Sequence, residues 1–537
     1  MKPHSELYKY KGFKLVSLIL KENTLMGNVD LFYEFIDPND TQTSIYTTVI
    51  IGPNGTGKSN LFRIVIELFK ELYDLNHGKN RSYNVSGFFR LKYSLGGDIF
   101  EYTNFDSEST TSAKDQKTRT AFLLKNGKRI DFENNPLPLA IVANSIILTD
   151  KFPFYRKDGI KGEEKTDAFP IYKYLGVRNI PQSASTRAYV RRTVEFIVEQ
   201  FEKGANYSFL HAIEKAVEFL ELDKSVEIFF YTSNTSTFFN GELTPDQIEK
   251  YFKPIKKKYP KSSDNPPFKL THYLKISGDE KLLKKISKFC NDLYKNQRLT
   301  LLDYKGSVNR KIVYDLFDED QFAKLSSEYY LLDHLRKLGI VSSPEIKLKR
   351  TNGYMLQESS SGEYHFFSSI VGLIATIRPT NSLVLIDEPE TSLHPNWQMK
   401  YLSFLRELFG HPEYSTCHIL VATHSHFLIS DLKGSSSKIL GLRRDKGKIE
   451  MVEMPKDVDT FGWSAEQILL EILKVPTTRN YFIADKVGEI LELVSKPDRD
   501  EKLIKAKVRD LVNLNVLHLS EEDPLSTVIE KLIEKYG

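Results

Sequence analysis

The spacing of apolar residues predicts a strand, a tight turn and a helix near the start of the chain. Apolar residues run without interruption over 49–51, as in a buried strand. A glycine-rich segment follows. Apolar residues then recur every three or four positions over 61–75, at Leu61, Ile64, Leu68 and Leu72. That spacing is typical of an amphipathic helix. Strand-like runs at 13–16 and 31–35 come earlier, so we expect an α/β lobe over 1–155.

The pattern changes after residue 155. The segment 156–340 is rich in lysine and carries helical stripes, one of them formed by Val190, Val194, Ile197 and Phe201. Short strand-like runs return over 341–450, and 451–537 is charged with helical periodicity. We interpret 156–340 as a mostly helical insertion that separates two lobes of one α/β domain. The helical extension over 451–537 either completes the core or binds a partner.

Composition narrows the class of protein. The chain has 537 residues, which suggests three or four domains at roughly 150 residues each. Its two cysteines, Cys290 and Cys417, exclude a disulfide scaffold and a cysteine-based zinc site. The N-terminal segment is too polar for a signal peptide, and no apolar run is long enough to span a membrane. We therefore expect a cytoplasmic protein. Its net charge of +4 is too small to indicate whether it binds nucleic acid.

A phosphate-binding loop follows the first buried strand. Residues 52–59 match the pattern GxxxxGK[ST], whose glycines let backbone N–H groups surround phosphates. Lys58 is expected to contact the β- and γ-phosphates of ATP, and the Ser59 hydroxyl to ligate Mg²⁺. The helix that follows directs its positive end at the same anion. The expected nucleotide-binding residues are Gly52, Pro53, Asn54, Gly55, Thr56, Gly57, Lys58, Ser59 and Asn60.

Two later strands are expected to complete this site. Residues 383–386 form a buried-type strand that ends in Asp387 and Glu388. Ligands bind at the carboxyl ends of parallel strands, so we predict that Asp387 holds Mg²⁺ with Ser59. Glu388 is then placed to act as the base that polarises the attacking water. A third strand, 418–423, ends in His424, which we expect to contact the γ-phosphate or that water.

Lysines also cluster within the insertion. A basic face with interleaved aromatic residues can follow a nucleic-acid backbone, whereas a solvated helix face needs no partner. The sequence leaves both interpretations open for Lys253, Lys256, Lys257, Lys258 and Lys261, which lie among Tyr251, Phe252 and Tyr259, and for Lys281, Lys285 and Lys288.

The phosphate-site motifs together resemble a known class of ATPase. GPNGTGKSN, LVLIDEPETSLHP and LVATHSH are similar to the ABC-type ATPases of the SMC, RecF and OLD group. The resemblance implies a signature loop before Asp387, and SSSGE at 359–363 occupies that place. In the family this loop caps the nucleotide of the opposite subunit. The resemblance therefore implies that Ser360 and Gly362 bind nucleotide across a dimer that ATP closes.

One element of that family is missing from the sequence. The family has a glutamine loop between the first lobe and the insertion, but the stretch 140–153 contains no glutamine. Asn144 and Asp150 are the two candidates to replace it, and the sequence does not choose between them.

A closer resemblance rests on segments outside the ATPase motifs. DKFPF (150–154), YKYLGVR (172–178), ESSSGEYHF (358–366) and FGWSAEQILLEILKVPTTRNY (461–481) resemble the PtuA family. These are the ATPase subunits of Septu-type anti-phage defence systems, including retron-linked ones. The resemblance implies an HNH-type nuclease as partner, and in retron-linked systems a reverse transcriptase with its DNA–RNA product.

Two alternatives belong to other functional classes. A RecF/SMC-like DNA-repair ATPase is disfavoured because the insertion lacks the heptads of a coiled-coil arm. A stand-alone OLD-type nuclease is disfavoured because 498–500, the DxD candidate, does not follow an apolar strand. We expect a charged loop there, before a helix near Glu501.

Overall fold

A computed structural model describes most of the chain. The described residues are 12–37, 45–79, 85–105, 121–133, 135–153, 169–180, 183–202, 206–233, 235–259, 266–304, 307–350, 354–355, 361–378, 380–391, 393–430, 432, 436–445, 448–452, 460, 462–471, 481–495, 499–514 and 524–537. They divide into two compact units, Met1–Phe461 and Gly462–Gly537.

Strands and helices are numbered in chain order. The strands are β1 (Lys14–Lys21), β2 (Leu31–Glu34), β3 (Tyr46–Ile51), β4 (Phe88–Leu95), β5 (Asp98–Thr103), β6 (Phe122–Lys125), β7 (Lys128–Ile130), β8 (Ala140–Ser145), β9 (Tyr172–Tyr174), β10 (Arg178–Ile180), β11 (Ser183–Ala184), β12 (Val226–Tyr231), β13 (Leu299–Tyr304), β14 (Ser307–Asp315), β15 (Glu345–Leu348), β16 (Tyr354–Met355), β17 (Ser382–Asp387), β18 (His418–Thr423), β19 (Ser437–Asp445) and β20 (Lys448–Val452). The helices are α1 (Lys58–Asn76), α2 (Thr186–Glu202), α3 (Asn206–Phe219), α4 (Thr235–Phe238), α5 (Pro245–Lys258), α6 (Phe268–Ile276), α7 (Glu280–Lys295), α8 (Glu319–Lys337), α9 (Ser361–Thr376), α10 (Pro395–Leu408), α11 (His426–Ile429), α12 (Ala465–Glu471), α13 (Tyr481–Ser495), α14 (Glu501–Val512) and α15 (Pro524–Tyr536).

The central sheet is mostly parallel and has the order β20-β19-β3-β18-β17-β8-β9. Every residue of β3, β8, β17 and β18 is buried, as expected for parallel strands covered on both faces. Asp387 pairs in register with Ala422 of β18 and with Ser145 of β8, and Thr423 pairs with Ile51 of β3. The carboxyl ends of these four strands therefore lie along one edge of the sheet.

A second, antiparallel sheet completes the first lobe, with the order β2-β1-β4-β5-β6-β7. One continuous core joins it to the central sheet through α1. This core contains Leu18 of β1, Leu61 and Leu68 of α1, Ile50 of β3 and Leu385 of β17. Burial on both sides fixes the position of α1, which begins at Lys58 directly after Gly57.

The insertion contains helices, as predicted, and also a sheet that the sequence pattern did not indicate. Its antiparallel strands have the order β13-β14-β12-β15-β16. The strand-type residues of β13 and β14 form only short runs between long lysine-rich helices, so the sequence pattern did not single out this hairpin. The sheets also extend past the predicted boundaries: β9 pairs with β8 in the central sheet, and β15 and β16 belong to the insertion's sheet.

The C-terminal unit is helical, and this part of the fold prediction is confirmed. Helices α13, α14 and α15 share a small hydrophobic core that includes Val487, Ile504, Val508 and Ile529. Asp500 accepts hydrogen bonds from the backbone N–H groups of Lys502 and Leu503, so it caps the start of α14. Among the helices that the structure describes, none has the length and apolar character needed to cross a membrane.

Candidate active site

The loop between β3 and α1 has a conformation that requires glycine. Gly57 has a φ of 86°, and a Cβ atom there would lie 2.6 Å from Cε of Met26. A Cβ atom on Gly52 would lie 2.5 Å from the carbonyl oxygen of Leu442. The Thr56 hydroxyl donates to the carbonyl of Pro53 at 2.8 Å, which closes the turn. A side chain at position 52 or 57 would therefore collide with its neighbours, so the turn depends on glycine at both positions.

Lys58 is buried beneath this loop. Its Nζ atom donates to the carbonyl oxygens of Gly52 at 2.7 Å and Pro53 at 3.2 Å. Burial lowers the pKa of Lys58, while the nearby carboxylates of Glu388, Asp387 and Glu390 raise it. Carboxylates that lie more than 300 residues away in sequence thus act electrostatically on the ammonium group of Lys58.

Asp387 is the buried carboxylate at the end of β17. Burial raises its pKa to about 7, opposed by a hydrogen bond from the Ser59 hydroxyl. Its Oδ1 atom is buried and has no hydrogen-bond partner among the residues the structure describes. A hard divalent cation prefers such oxygen ligands, and Mg²⁺ is commonly held by one carboxylate together with phosphate oxygens. Ser59 and Asp387 therefore fit the pair of ligands that a Mg²⁺–nucleotide complex needs.

Glu388 lies in a strained backbone conformation immediately after this strand. Its φ of 48° is left-handed, which costs roughly 1–2 kcal/mol for a residue with a Cβ atom. Its N–H donates to the carbonyl of Ala422 at 2.8 Å, so the chain turns while it remains anchored to β18. The side chain is one-fifth exposed and has a carboxylate oxygen 3.8 Å from Nδ1 of His424. Backbone strain of this kind concentrates at functional sites.

Glu390 is a residue of this site to which sequence reasoning gave no role. Its buried Oε1 accepts hydrogen bonds from the Thr423 hydroxyl and the His424 N–H, each at 2.7 Å. Nδ1 of His424 lies 3.2 Å from the same oxygen. Burial raises the pKa of Glu390, and these hydrogen bonds and the nearby imidazole oppose the shift. Glu390 thus fixes the position of His424. The signal for this role in the sequence was a second acidic residue two positions after Glu388.

The stretch that lacks glutamine brings Asn144 and Asp150 close to the same edge. Asp150 is fully engaged: Arg178 donates to both of its oxygens at 2.5 and 3.0 Å, and the Tyr174 hydroxyl donates at 2.7 Å. Asn144 donates through Nδ2 to the hydroxyl of Ser369 on α9. Its Oδ1 is buried and has no partner among the described residues. Asn144 therefore keeps a free acceptor beside the site, whereas Asp150 does not.

A narrow cavity lies between these residues and α9. Its lining residues come from the ends of β8 and β17 and from two helices: Asn144, Ser145, His365, Ser369, Asp387 and Tyr401 are among them. Asp387 and Asn144 each have an unpartnered oxygen and both line this cavity. The space between the two strand ends is therefore polar, although most of its walls are aromatic or aliphatic.

The remaining predicted site residues are placed as follows. Pro53, Asn54 and Gly55 are exposed on the loop. The Asn60 amide donates to the carbonyl of Leu25 at 2.9 Å, which ties α1 to the turn after β1. Gly362 is buried in the first turn of α9, and Ser360 lies outside the described residues.

These features define a class of protein. A P-loop follows β3, an acidic pair follows β17, and β18 lies between them and ends at a histidine. Together with the antiparallel sheet on the other side of α1, this is the architecture of an ABC-type P-loop ATPase head. The predicted fold class is thereby confirmed from the chain's own topology.

Comparisons with known proteins identify what the chain is similar to. The Septu protein PtuA of Bacillus thuringiensis is 25% identical over 232 residues, which are 40% of this chain and 55% of that protein. The chain thus matches about half the length of this curated relative. The predicted resemblance to the PtuA family is confirmed. A family described as "AAA domain, putative AbiEii toxin, Type IV TA system" matches residues 176–430, which include β17 and β18 but not the P-loop.

Solved ATPase heads align with most of the chain at low scores. The SMC head domain from Thermotoga maritima aligns with 82% of this chain and 99% of its own, with a TM-score of 0.34 and 12% identity. The recombination mediator protein RecF aligns with 83% of this chain over 100% of its own, with a TM-score of 0.28 and 13% identity.

Proposed function

We propose that this chain binds ATP with Mg²⁺ at the carboxyl edge of its parallel sheet and hydrolyses it. The observation that carries the proposal is the convergence of four residues on one edge of the sheet. Lys58 begins α1, Asp387 and Glu388 lie at the end of β17, and His424 follows β18. The unpartnered Oδ1 of Asp387 supports it, because a buried carboxylate oxygen without a partner is costly unless a ligand engages it.

Each residue has a distinct role in this proposal. The loop N–H groups and Lys58 hold the β- and γ-phosphates, and Ser59 with Asp387 holds Mg²⁺, which supplies charge neutralisation at the phosphate oxygens. Glu388 orients the attacking water and accepts its proton. His424, held by Glu390, contacts the γ-phosphate or that water. Gly52, Gly55, Thr56 and Gly57 shape the loop that receives the phosphates.

The experiment compares two variants of the purified chain. Lys58→Ala should abolish ATP binding, because the phosphates lose their cation. Glu388→Gln should bind ATP with near wild-type affinity and lose at least 100-fold in turnover, as expected when a general base is removed. Glu388→Gln turnover at the wild-type rate would rule out this base. The matched control is Glu407→Gln, an exposed glutamate at the end of α10.

The proposal extends to assembly. The resemblance to PtuA supports an ATPase subunit of an anti-phage defence complex, in which two heads dimerise and Ser360 and Gly362 of one contact the nucleotide of the other. Ser360→Arg should then block the ATP-dependent increase in size that Glu388→Gln shows by light scattering. An unchanged size increase in a Ser360→Arg/Glu388→Gln double variant would contradict the composite site.

The proposed partner is an HNH-type nuclease, together with a reverse transcriptase and its DNA–RNA product if the system is retron-linked. An affinity-tagged chain purified from its native operon should bring down the nuclease at fixed stoichiometry, and mass spectrometry would identify it. Recovery of the ATPase chain alone under conditions that preserve ATP binding would contradict the defence-complex proposal and leave the ATPase proposal standing.

A further inference from the structure

Three helices of the insertion carry a concentrated positive charge. Residues 245–295, which span α5, α6 and α7, contain thirteen lysines, no arginine and six acidic residues. The surplus of positive charge in this segment exceeds the net charge of +4 of the whole chain. The rest of the molecule is therefore slightly acidic, and these helices are an electropositive region on a nearly neutral protein.

An open groove of about 370 Å³ lies on this region. Lys253, Lys256 and Lys257 of α5 line it together with Glu249 and with Tyr273 of α6. Lys256 and Lys257 follow Lys253 by three and four residues, which brings both of their side chains close to that of Lys253 on one side of the helix. Behind them, the rings of Phe252 and Tyr273 stack at 4.4 Å and hold α5 against α6. The groove is thus lined by positive charge and backed by a packed aromatic pair.

The lysines of the groove are not held in ion pairs within the part of the chain that the structure describes. Lys253, Lys256 and Lys257 are exposed and make no ion pair with any residue that the structure describes. Elsewhere in the insertion lysines do find acids: Lys284 pairs with Glu280 at 2.6 Å, and Lys349 with Glu227 at 3.0 Å. Like charges three or four residues apart on a helix cost about 0.2–0.5 kcal/mol per pair. An external anion in the groove would remove that repulsion.

We propose that this groove binds the phosphate backbone of a nucleic acid strand, without sequence specificity. Lysine is a flexible point charge suited to phosphates in varied positions, and three lysines along one helix face suit a repeating anion better than a single phosphate. Phe268 and Tyr294, on the same group of helices, are 67% and 43% exposed and offer faces for stacked bases. This inference goes beyond the ATPase proposal and does not depend on it.

The test is fluorescence anisotropy of the full chain with a 5′-labelled oligothymidine of about 20 nucleotides, without ATP, between 50 and 300 mM salt. Each single-stranded phosphate contact contributes about −0.7 to the slope of log affinity against log salt. The triple variant Lys253→Gln/Lys256→Gln/Lys257→Gln should therefore flatten the slope by about 2 and weaken binding roughly 100-fold at 0.1 M salt. The matched control, Lys502→Gln/Lys505→Gln/Lys531→Gln, loses the same charge from exposed positions of the C-terminal unit and should bind as wild type does.

Glu249 provides a test of the opposite sign. Its carboxylate lines the groove and repels a polyanion, so Glu249→Gln should strengthen binding a few-fold. Glu501→Gln on α14 is the control and should not change binding.

The proposal is overturned if the wild-type chain does not bind the oligonucleotide, or if both triple variants lose affinity equally. It is also overturned if polyglutamate displaces the oligonucleotide at equal charge concentration, which would assign the groove to an acidic protein. The groove variant should keep its fold by circular dichroism and its basal ATPase rate, so failure here is separable from failure at the nucleotide site.

Discussion

The substitution Asp387→Asn should stabilise the protein in the absence of ligand while removing its response to Mg²⁺ and ATP. Asp387 is 1% exposed, and burial raises its pKa from an ordinary 3.8 to about 7. A raised carboxyl pKa means that the charged form is less favourable in the folded chain than in the unfolded one. The folded state thus loses stability as the pH rises from about 4 to 7, and asparagine, which stays neutral, should avoid that loss.

The magnitude follows from the size of the shift. One unit of pKa corresponds to about 1.4 kcal/mol, so a shift of roughly three units predicts a gain of about 4 kcal/mol for Asp387→Asn above pH 7. At pH 5 only part of the shift has been titrated, and the gain falls to about 2 kcal/mol. For a unit of some 460 residues, 1 kcal/mol corresponds to about 1 °C in Tm. We therefore expect Asp387→Asn to raise Tm by about 4 °C at pH 8 and about half as much at pH 5.

Differential scanning fluorimetry between pH 5 and 8, with and without Mg²⁺ and ATP, measures both effects. A ligand at 100 times its Kd stabilises by about 2.7 kcal/mol, so the wild type should gain about 3 °C and the variant nothing. Asp150→Asn is the contrasting control. Burial raises the pKa of Asp150 as well, but this carboxylate has Arg178 as its partner. Its replacement would leave the buried guanidinium without a counter-charge, so Asp150→Asn should destabilise by about 3–5 kcal/mol. An Asp387→Asn variant no more stable than wild type at pH 8, or with a gain independent of pH, would refute the reasoning.

Three other predictions follow from the geometry of the same edge. Gly57→Ala should weaken ATP binding at least ten-fold by filter binding, and Met26→Ala should restore only part of the loss because the φ of 86° stays unfavourable. Glu390→Ala should destabilise by about 2–4 kcal/mol in chemical denaturation, since the donors from Thr423 and His424 lose a buried acceptor, whereas Glu390→Gln should lose less. Asn144→Leu should slow turnover without weakening ATP binding if its free oxygen positions water, and unchanged turnover would exclude that role.

The local parts of the fold and the nucleotide site could be predicted because short segments encode them. A helix predicted over 61–75 is found at Lys58–Asn76, and the strand before Asp387 ends at that residue. The periodicity of apolar residues indicates which side chains are buried, and their burial places β3, α1 and β17 in the core. The pairing of Glu390 with β18 and His424 could not be predicted in this way, because it joins residues more than 30 positions apart through side-chain hydrogen bonds. The sheet of the insertion was missed for a similar reason, since β12 finds its partners in β14 and β15 only after folding.

Two of the four segments that carry the closer resemblance are joined in the structure by a buried ion pair. Asp150 belongs to one of these segments, and Tyr174 and Arg178 belong to another. None of the three is among the predicted phosphate ligands. Arg178 bridges the two with its bonds to Asp150 and a further one to the carbonyl of Phe152 at 2.7 Å, while Arg192 of α2 donates to the carbonyl of Arg178 at 3.1 Å.

A buried ion pair of this kind gives little net stability but is costly to break. It therefore holds the end of β8, next to Asp387, in one arrangement relative to the first helix of the insertion. Within β8, Asn144 bonds to Ser369 of α9. Gln200 of α2 donates to the carbonyl of Ala375 on the same helix at 2.8 Å. The nucleotide edge, the insertion and α9 are thus joined in a closed loop of buried polar contacts. Asn144 therefore cannot move away from α9 without losing its buried hydrogen bond to Ser369.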